Sequence, residues 1–159
     1  EIVEAYRSYQ FHLIYQKVHN FCVVDLGGFY LDVIKDRQYT TQANGLPRRS
    51  CQTALYHIAE AMVRWLAPVL SFTADEAWWH MPKQTGESVH LAGFPEPAPE
   101  CRDERLTERW DSIIRVRGEV SKALEMARVR KTIGHSLDAS VTLSAPAELL
   151  GFQIGRAPR

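Results

Sequence analysis

The sequence has few cysteines and no long apolar run. Its three cysteines, at positions 22, 51 and 101, are odd in number and widely spaced, so they predict neither a disulfide framework nor a zinc knuckle. Such sparse cysteine usage favours a reducing, cytosolic setting. Arg64, Asp75 and Glu76 interrupt the most apolar stretch, so no segment approaches the ~20 apolar residues that a membrane span requires. We therefore expect no membrane partner.

The chain also lacks a net charge, because 19 Lys and Arg residues balance 19 Asp and Glu residues. This balance excludes binding to a nucleic acid or a membrane by bulk charge, but it leaves room for local basic patches. Hydrophobic residues make up 45% of the 159 residues, which is enough for a buried core. The chain begins in the middle of a helical pattern with no initiator Met and no signal peptide, so we expect a fragment of a longer chain.

Apolar residues recur at spacings of three and four over most of the chain, which predicts a mainly all-α fold, a helical bundle. Helices are expected over residues 4–25, 29–39, 50–67 and 104–132, with a further short helix that stops before Pro82. From Leu137 to Leu143, apolar and polar residues alternate instead, so we expect a short β segment near the C-terminus, paired with a strand outside this chain.

Residues with special backbone chemistry predict where these helices begin and end. Ser50 is expected to cap the third helix, and Thr73 the short helix that follows, with Glu76 completing a capping box. The remaining signals are helix-ending or helix-bending residues: Pro68, the pair Gly27–Gly28, and Gly134 as a C-cap.

Prolines divide the chain, because four of the eight lie between positions 82 and 103. We therefore predict a helical bundle over 1–82, a proline-rich connector over 83–103, and a C-terminal part over 104–144 that holds the long basic helix and the following strand. Residues 145–159 carry no pattern that assigns a structure, and we treat them as a tail.

Catalytic motifs are scarce. His57 and Glu60 lie one helical turn apart, but a di-iron carboxylate bundle needs such pairs on two helices, and the only other pair falls in the connector. A half-buried His57 that is hydrogen-bonded within the bundle is the simpler interpretation. The sequence has no glycine-rich phosphate-binding loop, and its residues do not indicate a Ser-His-Asp or Cys-His catalytic arrangement. We therefore expect no catalytic residue, metal or cofactor in this chain, and a metal-dependent helical enzyme stays a third hypothesis.

Cations and an aromatic residue flank one predicted loop, residues 40–49, and form two clusters: Lys35, Arg37 and Tyr39 before it, and Arg48 and Arg49 at its end. Proteins bind single-stranded RNA loops by stacking bases on aromatic or guanidinium planes and by placing cations on phosphates. Each cluster alone is also typical of a solvated surface or of ion pairs within the fold. For Arg37, Asp32 and Asp36 are the possible partners. Together, the two clusters favour an RNA-binding surface.

The long predicted helix is basic on one face. Between Arg115 and Lys131, six cations outnumber two carboxylates. Such a face is usually only solvated, and contact with a polyanion is the more specific interpretation. On this helix we select Arg128 and Lys131 as candidate RNA contacts. The alternative is a helical protein-interaction domain with no RNA role, whose basic face meets an acidic protein.

Three segments carry a family resemblance: FYLDVIKDRQYT at 29–40, RRSCQTALYHIAEAMVRWLAPVLSFTADEAW at 48–78, and RGEVSKALEMARVRKTIGHSLDASVTL at 117–143. They resemble, in this order, the anticodon-binding domain of bacterial isoleucyl-tRNA synthetases, which are class I enzymes. The valyl and leucyl enzymes share the general pattern and stay an alternative. The stretch RRSCQTALYHIAEA is closer to the isoleucyl enzymes.

The resemblance implies a helical bundle of the class I synthetase type, appended to a catalytic domain in the same parent chain. It implies the tRNA for isoleucine as partner, the cytoplasm as location, and a parent enzyme that attaches isoleucine to this tRNA using ATP. The family's H-I-G-H and K-M-S-K-S signatures and its cysteine-rich zinc segment are absent here. ATP and zinc are therefore implied only for other parts of the parent, and this chain alone is expected to be non-catalytic.

The resemblance also assigns roles residue by residue. The family motifs coincide with five of the candidate RNA contacts: Lys35, Arg37, Tyr39, Arg48 and Arg49. They also coincide with Trp65, Pro68, Trp78 and Trp79, which we interpret as packing residues.

Overall fold

A computed structural model describes residues 1–82, 86–96 and 98–144. These residues contain helices and no strand, which confirms the predicted all-α class. The α-helices are α1 (Ile2–Arg7), α2 (Phe11–Asn20), α3 (Leu31–Val33), α4 (Lys35–Tyr39), α5 (Leu46–Leu66), α6 (Ser71–His80) and α7 (Glu104–Val129). The chain divides into two compact units, Glu1–Pro97 and Ala98–Arg159. The predicted tail, 145–159, lies outside the described residues.

The first predicted helix is interrupted after only six residues. Tyr9 adopts a left-handed conformation with φ of 56°. Its N–H donates to Tyr6 O at 3.1 Å, and Gln10 N–H donates to Ala5 O at 2.8 Å. These two bonds are those of a Schellman motif, which ends α1 and lets α2 start in a new direction. The prediction of one helix over 4–25 is wrong here, because a tyrosine takes the position that glycine usually occupies.

Gly27 and Gly28 do not break the chain's helical path. They lie in a π-helical segment, Phe21–Tyr30, that joins α2 to α3. A Cβ atom added at Gly27 would lie 3.1 Å from Cys22 O, and one added at Gly28 would lie 3.1 Å from Val23 O. The two glycines therefore permit a wider helical winding with close backbone approach, where the sequence predicted an end or a kink.

Helix α5 begins earlier than predicted. Its N-cap is Gly45, and Pro47 lies in the first turn, where its fixed φ suits a helix start and its missing N–H has no cost. The prediction of Ser50 as N-cap is wrong for this reason. The helix ends at Leu66, so the predicted effect of Pro68 is confirmed.

Helix α6 also begins earlier than predicted, because its N-cap is Leu70. Ala74 N–H already donates to Leu70 O at 2.8 Å, so Thr73 lies inside the first turn and is not a cap. The helix ends at His80, before Pro82, as predicted. Trp78 is buried, but Trp79 is 57% exposed, so its interpretation as a packing residue is wrong.

The core of the first unit includes a residue from the proline-rich stretch. Val89, in a short 3₁₀ turn, is buried with Ala67, Ala74 and Trp78. Asp75 Oδ1 holds this turn by accepting hydrogen bonds from Ser88 Oγ at 2.6 Å and from Val89 N at 3.1 Å. The bond from Ser88 lowers the pKa of Asp75 below its ordinary value. Part of the chain after α6 is thus fastened to the bundle.

The second unit is built on α7. Asp103 caps its start by accepting a hydrogen bond from Leu106 N at 3.0 Å. The half-buried apolar residues of this helix recur at three and four and share one face: Ile113, Val116, Val120, Leu124 and Ala127. The helix begins at Glu104, as predicted, and ends at Val129, three residues before the predicted end.

Helix α7 ends at Val129 in a second Schellman motif. Lys131 has φ of 58°, and its N–H donates to Arg128 O at 2.9 Å. Thr132 N–H donates to Ala127 O at 2.9 Å. The prediction of Gly134 as C-cap is wrong, because Lys131 already takes the left-handed position.

The strand predicted over Leu137–Leu143 does not form. Ser136–Asp138 is a 3₁₀ turn, closed by reciprocal hydrogen bonds between His135 and Asp138. Residues 139–144 have no regular secondary structure. An alternating segment becomes a strand only by pairing with another, and no pairing partner lies within the described residues.

Replacing Lys131 by glycine should stabilise the protein. Glycine adopts positive φ without steric cost, so we expect Lys131→Gly to raise the free energy of unfolding by about 1 kcal/mol. Urea denaturation followed by far-UV circular dichroism measures this. Lys131→Ala is the matched control, because it removes the same charge and keeps the strain. Equal stability of the two variants would contradict the assignment of strain to this position.

Candidate nucleic-acid interface

Five of the seven predicted RNA contacts lie on one helix–loop–helix of the first unit. Helix α4 carries Lys35, Arg37 and Tyr39, and the first turns of α5 carry Arg48 and Arg49. Helix α4 packs against α5. The two clusters therefore belong to one packed helix–loop–helix, and their contact with RNA stays a prediction.

Short hydrogen bonds hold the loop between the two helices at both ends. Thr40 donates to Asp36 O through its N–H at 2.9 Å and through its Oγ1 at 2.5 Å. Thr41 Oγ1 donates to Arg37 O at 2.6 Å, and Gly45 N–H donates to Gln42 O at 2.9 Å. These bonds restrict the loop backbone, so the side chains on either side of it are presented in a defined geometry.

The side chains of this helix–loop–helix face solvent. Tyr39 is 83% exposed, so both faces of its ring are open to a stacking partner. Lys35, Arg37 and Arg49 are exposed, and Arg48 is half-buried. None of the five is sealed inside the fold.

Lys35 forms an ion pair within the first unit. Its Nζ donates to Asp32 Oδ1 at 2.8 Å, and this hydrogen bond raises the pKa of Lys35 above its ordinary value. The sequence offered Asp32 and Asp36 as ion-pair partners of Arg37, and the ion pair described for Asp32 is with Lys35. Arg37 lies near Tyr30, whose pKa is raised by burial and by the nearby Cys51 and is lowered in part by the arginine. The charge of Arg37 is therefore more available to an external anion than that of Lys35.

The start of α5 concentrates positive charge. The helix has 21 residues, and its first turn holds no acidic side chain and no side-chain cap. A helix dipole is positive at this end, and a cation there costs about 0.3–1 kcal/mol relative to a neutral side chain. Arg48 and Arg49 add two cations to the same end. This arrangement is unfavourable for the free chain and favourable for binding an anion.

Gln38, between Arg37 and Tyr39, is a residue that the sequence analysis did not select. Its Nε2 is buried and has no hydrogen-bond partner within the described part of the chain. A buried donor without a partner costs about 1–3 kcal/mol of stability. The sequence feature that could have selected Gln38 is its position inside the KDRQY motif.

The other two predicted contacts, Arg128 and Lys131, lie in the second unit and have structural roles there. Arg128 forms an ion pair with Glu125 and donates from Nη2 to Ser136 Oγ at 2.8 Å. Lys131 is exposed and forms the left-handed C-terminus of α7. The charge of Arg128 is thus partly neutralised inside the unit, which the sequence did not predict.

The region around His57 gives no sign of a site. His57 is exposed, not half-buried as predicted, and its ring packs edge-on against Tyr56 with centroids 5.6 Å apart. Glu60 forms an ion pair with Arg64 on the next turn. Over residues 1–82, 86–96 and 98–144, no group of three or more His, Cys, Asp and Glu side chains is placed to hold a metal ion. No helix in these ranges has both the length and the apolar character to cross a membrane.

Comparison with known proteins agrees with this geometry. The family model described as the anticodon-binding domain of tRNA ligase matches residues 1–143. The chain therefore belongs to this family.

The most similar relatives include bacterial isoleucine–tRNA ligases. The chain is 56% identical to that of Geobacter sulfurreducens over 152 residues, which cover 96% of this chain and 16% of the relative. It is 60% identical to that of Nitrosococcus oceani over 145 residues, which cover 90% of this chain and 15% of the relative. It is 54% identical to that of Pseudomonas putida over 158 residues, which cover 98% of this chain and 17% of the relative. The chain thus spans about one sixth of the length of these relatives.

Reversing the charge at Arg49 should stabilise the protein. An acidic side chain near the start of α5 interacts favourably with the helix dipole, so we expect Arg49→Glu to raise the free energy of unfolding by about 0.5 kcal/mol at low salt. Urea denaturation measures this, and the gain should shrink at high salt. Gln52→Glu, one turn further along, is the control and should gain less. A loss of stability in Arg49→Glu would show that Arg49 supports the fold.

Proposed function

We propose that this chain is the module of an isoleucine–tRNA ligase that binds the anticodon stem-loop of the tRNA for isoleucine. The parent enzyme attaches isoleucine to that tRNA with ATP, in the cytoplasm. The family membership and the names of relatives that are 54–60% identical support this assignment. The related valyl or leucyl enzyme is the alternative assignment, because these families share the helical pattern.

One observation supports RNA binding most strongly: the cations at the positive end of α5 and the exposed ring of Tyr39 lie on two helices that pack against each other. Phosphates bind favourably at a helix start that carries cations. An exposed aromatic ring nearby is a stacking platform for an unpaired base, worth about 1–3 kcal/mol. An anticodon loop offers both groups, phosphates and unstacked bases, within a few nucleotides.

The two kinds of contact have different tasks. Arg48 and Arg49, with Arg37, would neutralise phosphates and thereby position the RNA. These phosphate contacts do not depend on the RNA sequence. Tyr39 would contact a base, and bases differ among anticodons in shape and in their hydrogen-bonding edges. The chemical step would belong to the catalytic domain of the parent chain, and ATP and zinc would be held by other parts of the parent.

Removing both arginines should weaken RNA binding. We expect Arg48→Ala/Arg49→Ala to lower the affinity for the anticodon stem-loop of the tRNA for isoleucine. The slope of log K against log salt should fall by about 1 to 2, because up to two phosphate contacts are lost. Fluorescence anisotropy at several salt concentrations measures this. Arg7→Ala/Lys17→Ala removes the same charge elsewhere in the unit and should leave the slope nearly unchanged.

Two further arms make the experiment decisive. Arg48→Lys/Arg49→Lys keeps both charges and should keep most of the salt slope, and circular dichroism confirms that each variant is folded. A DNA hairpin of the same sequence should bind more weakly than the RNA. Equal affinity for RNA and DNA, or equal effects of the two Ala pairs, would favour generic charge and contradict the proposal.

A further inference from the structure

We infer that α7 carries a second RNA contact, formed by Lys122 and Arg130 on either side of an apolar floor of Met126 and Val129. This inference rests on the proposed function. It differs from the sequence prediction, which selected Arg128 and Lys131 on the same helix. The occupant that we propose is a single ribose–phosphate strand of the tRNA, laid along the helix.

The four side chains lie on one face of α7. Their spacings of three and four residues place them side by side along the helix surface. With Glu125 they line a groove of about 450 Å³ among the described residues. Met126 is 48% exposed and Val129 is 75% exposed. This face lies opposite the half-buried residues of α7 and is exposed among the described residues.

The available positive charge on this face belongs to Lys122 and Arg130. Arg128 is paired with Glu125, whereas no described acidic side chain forms an ion pair with Lys122 or Arg130. The same pair neutralises Glu125, the one acidic residue of the groove. The groove is therefore a cationic surface with an apolar centre.

The length and composition of the groove suit an RNA strand. Lys122 and Arg130 are eight residues apart, which is ~12 Å along the helix axis at 1.5 Å per residue. A strand along the helix can place one phosphate on each cation while a ribose or base covers the methionine and valine side chains. The family match includes α7, which also favours RNA.

The three methionines of the chain make a direct test possible. Labelled at the ε-methyl carbon, the full chain gives one NMR signal each for Met62, Met81 and Met126, and Met126→Leu identifies the third. On titration with the tRNA for isoleucine, we expect the Met126 signal to shift beyond the change seen for Met81. A tRNA that binds without shifting Met126 would overturn this inference and leave the proposed function standing.

A charge-reversal pair measures the contribution of the groove. We expect Lys122→Glu/Arg130→Glu to weaken tRNA binding about tenfold or more at moderate salt. Arg105→Glu/Arg109→Glu changes the same charge on exposed residues of the same helix and should weaken it less than about threefold. Equal effects would overturn the inference. If polyglutamate shifts the Met126 NMR signal as readily as tRNA does, the groove binds an acidic protein and the inference is also overturned. Failure of the unaltered chain to bind tRNA at all would instead remove the proposed function, and this inference with it.

Discussion

Two arginines at the positive end of a 21-residue helix are the constraint on which the candidate site depends. In the free chain, Arg48 and Arg49 repel the helix dipole and each other, so the helix start is less stable than an acidic sequence would make it. Other contacts of the fold stabilise the start of α5. Pro47 in the first turn, the packing of α4 on α5 and the hydrogen-bonded loop hold the helix start in place. The unfavourable charge is then available for an anionic partner.

This arrangement explains how a chain with no net charge can belong to a family of RNA-binding domains. Its cations are concentrated at the start of α5 and along α7, while several others are neutralised by near neighbours, as Lys17 is by Glu1 and Arg64 by Glu60. Affinity then depends on a few local contacts and less on the long-range field.

The sequence predicted those parts of the fold that local chemistry determines. The recurrence of apolar residues located the helices, and Pro68 and Pro82 marked two helix ends correctly. The sequence also placed the two cationic clusters on either side of one short loop, and the helices that carry them pack against each other. The predicted contacts themselves, from Lys35 to Arg49, stay predictions until RNA binding is measured.

Two of the failures have the same physical cause: a helix end can be formed by a residue that carries no local signal. Tyr9 and Lys131 occupy left-handed positions that usually reveal themselves by a glycine, so neither helix end was predicted. The pairing of Arg128 with Glu125 and Ser136 depends on where the chain goes after α7, which periodicity does not show. The apolar–polar alternation after Leu137 does not describe exposure, because Leu137 is 88% exposed, and strand formation also needs a neighbour.

The most direct test of the central claim compares two natural RNAs. The chain should bind the tRNA for isoleucine more tightly than the tRNA for valine at moderate salt, because contacts to anticodon bases add to phosphate contacts that both RNAs share. The discrimination should persist as salt is raised and the phosphate contribution falls. Equal affinity for the two tRNAs over the whole salt range would contradict the account.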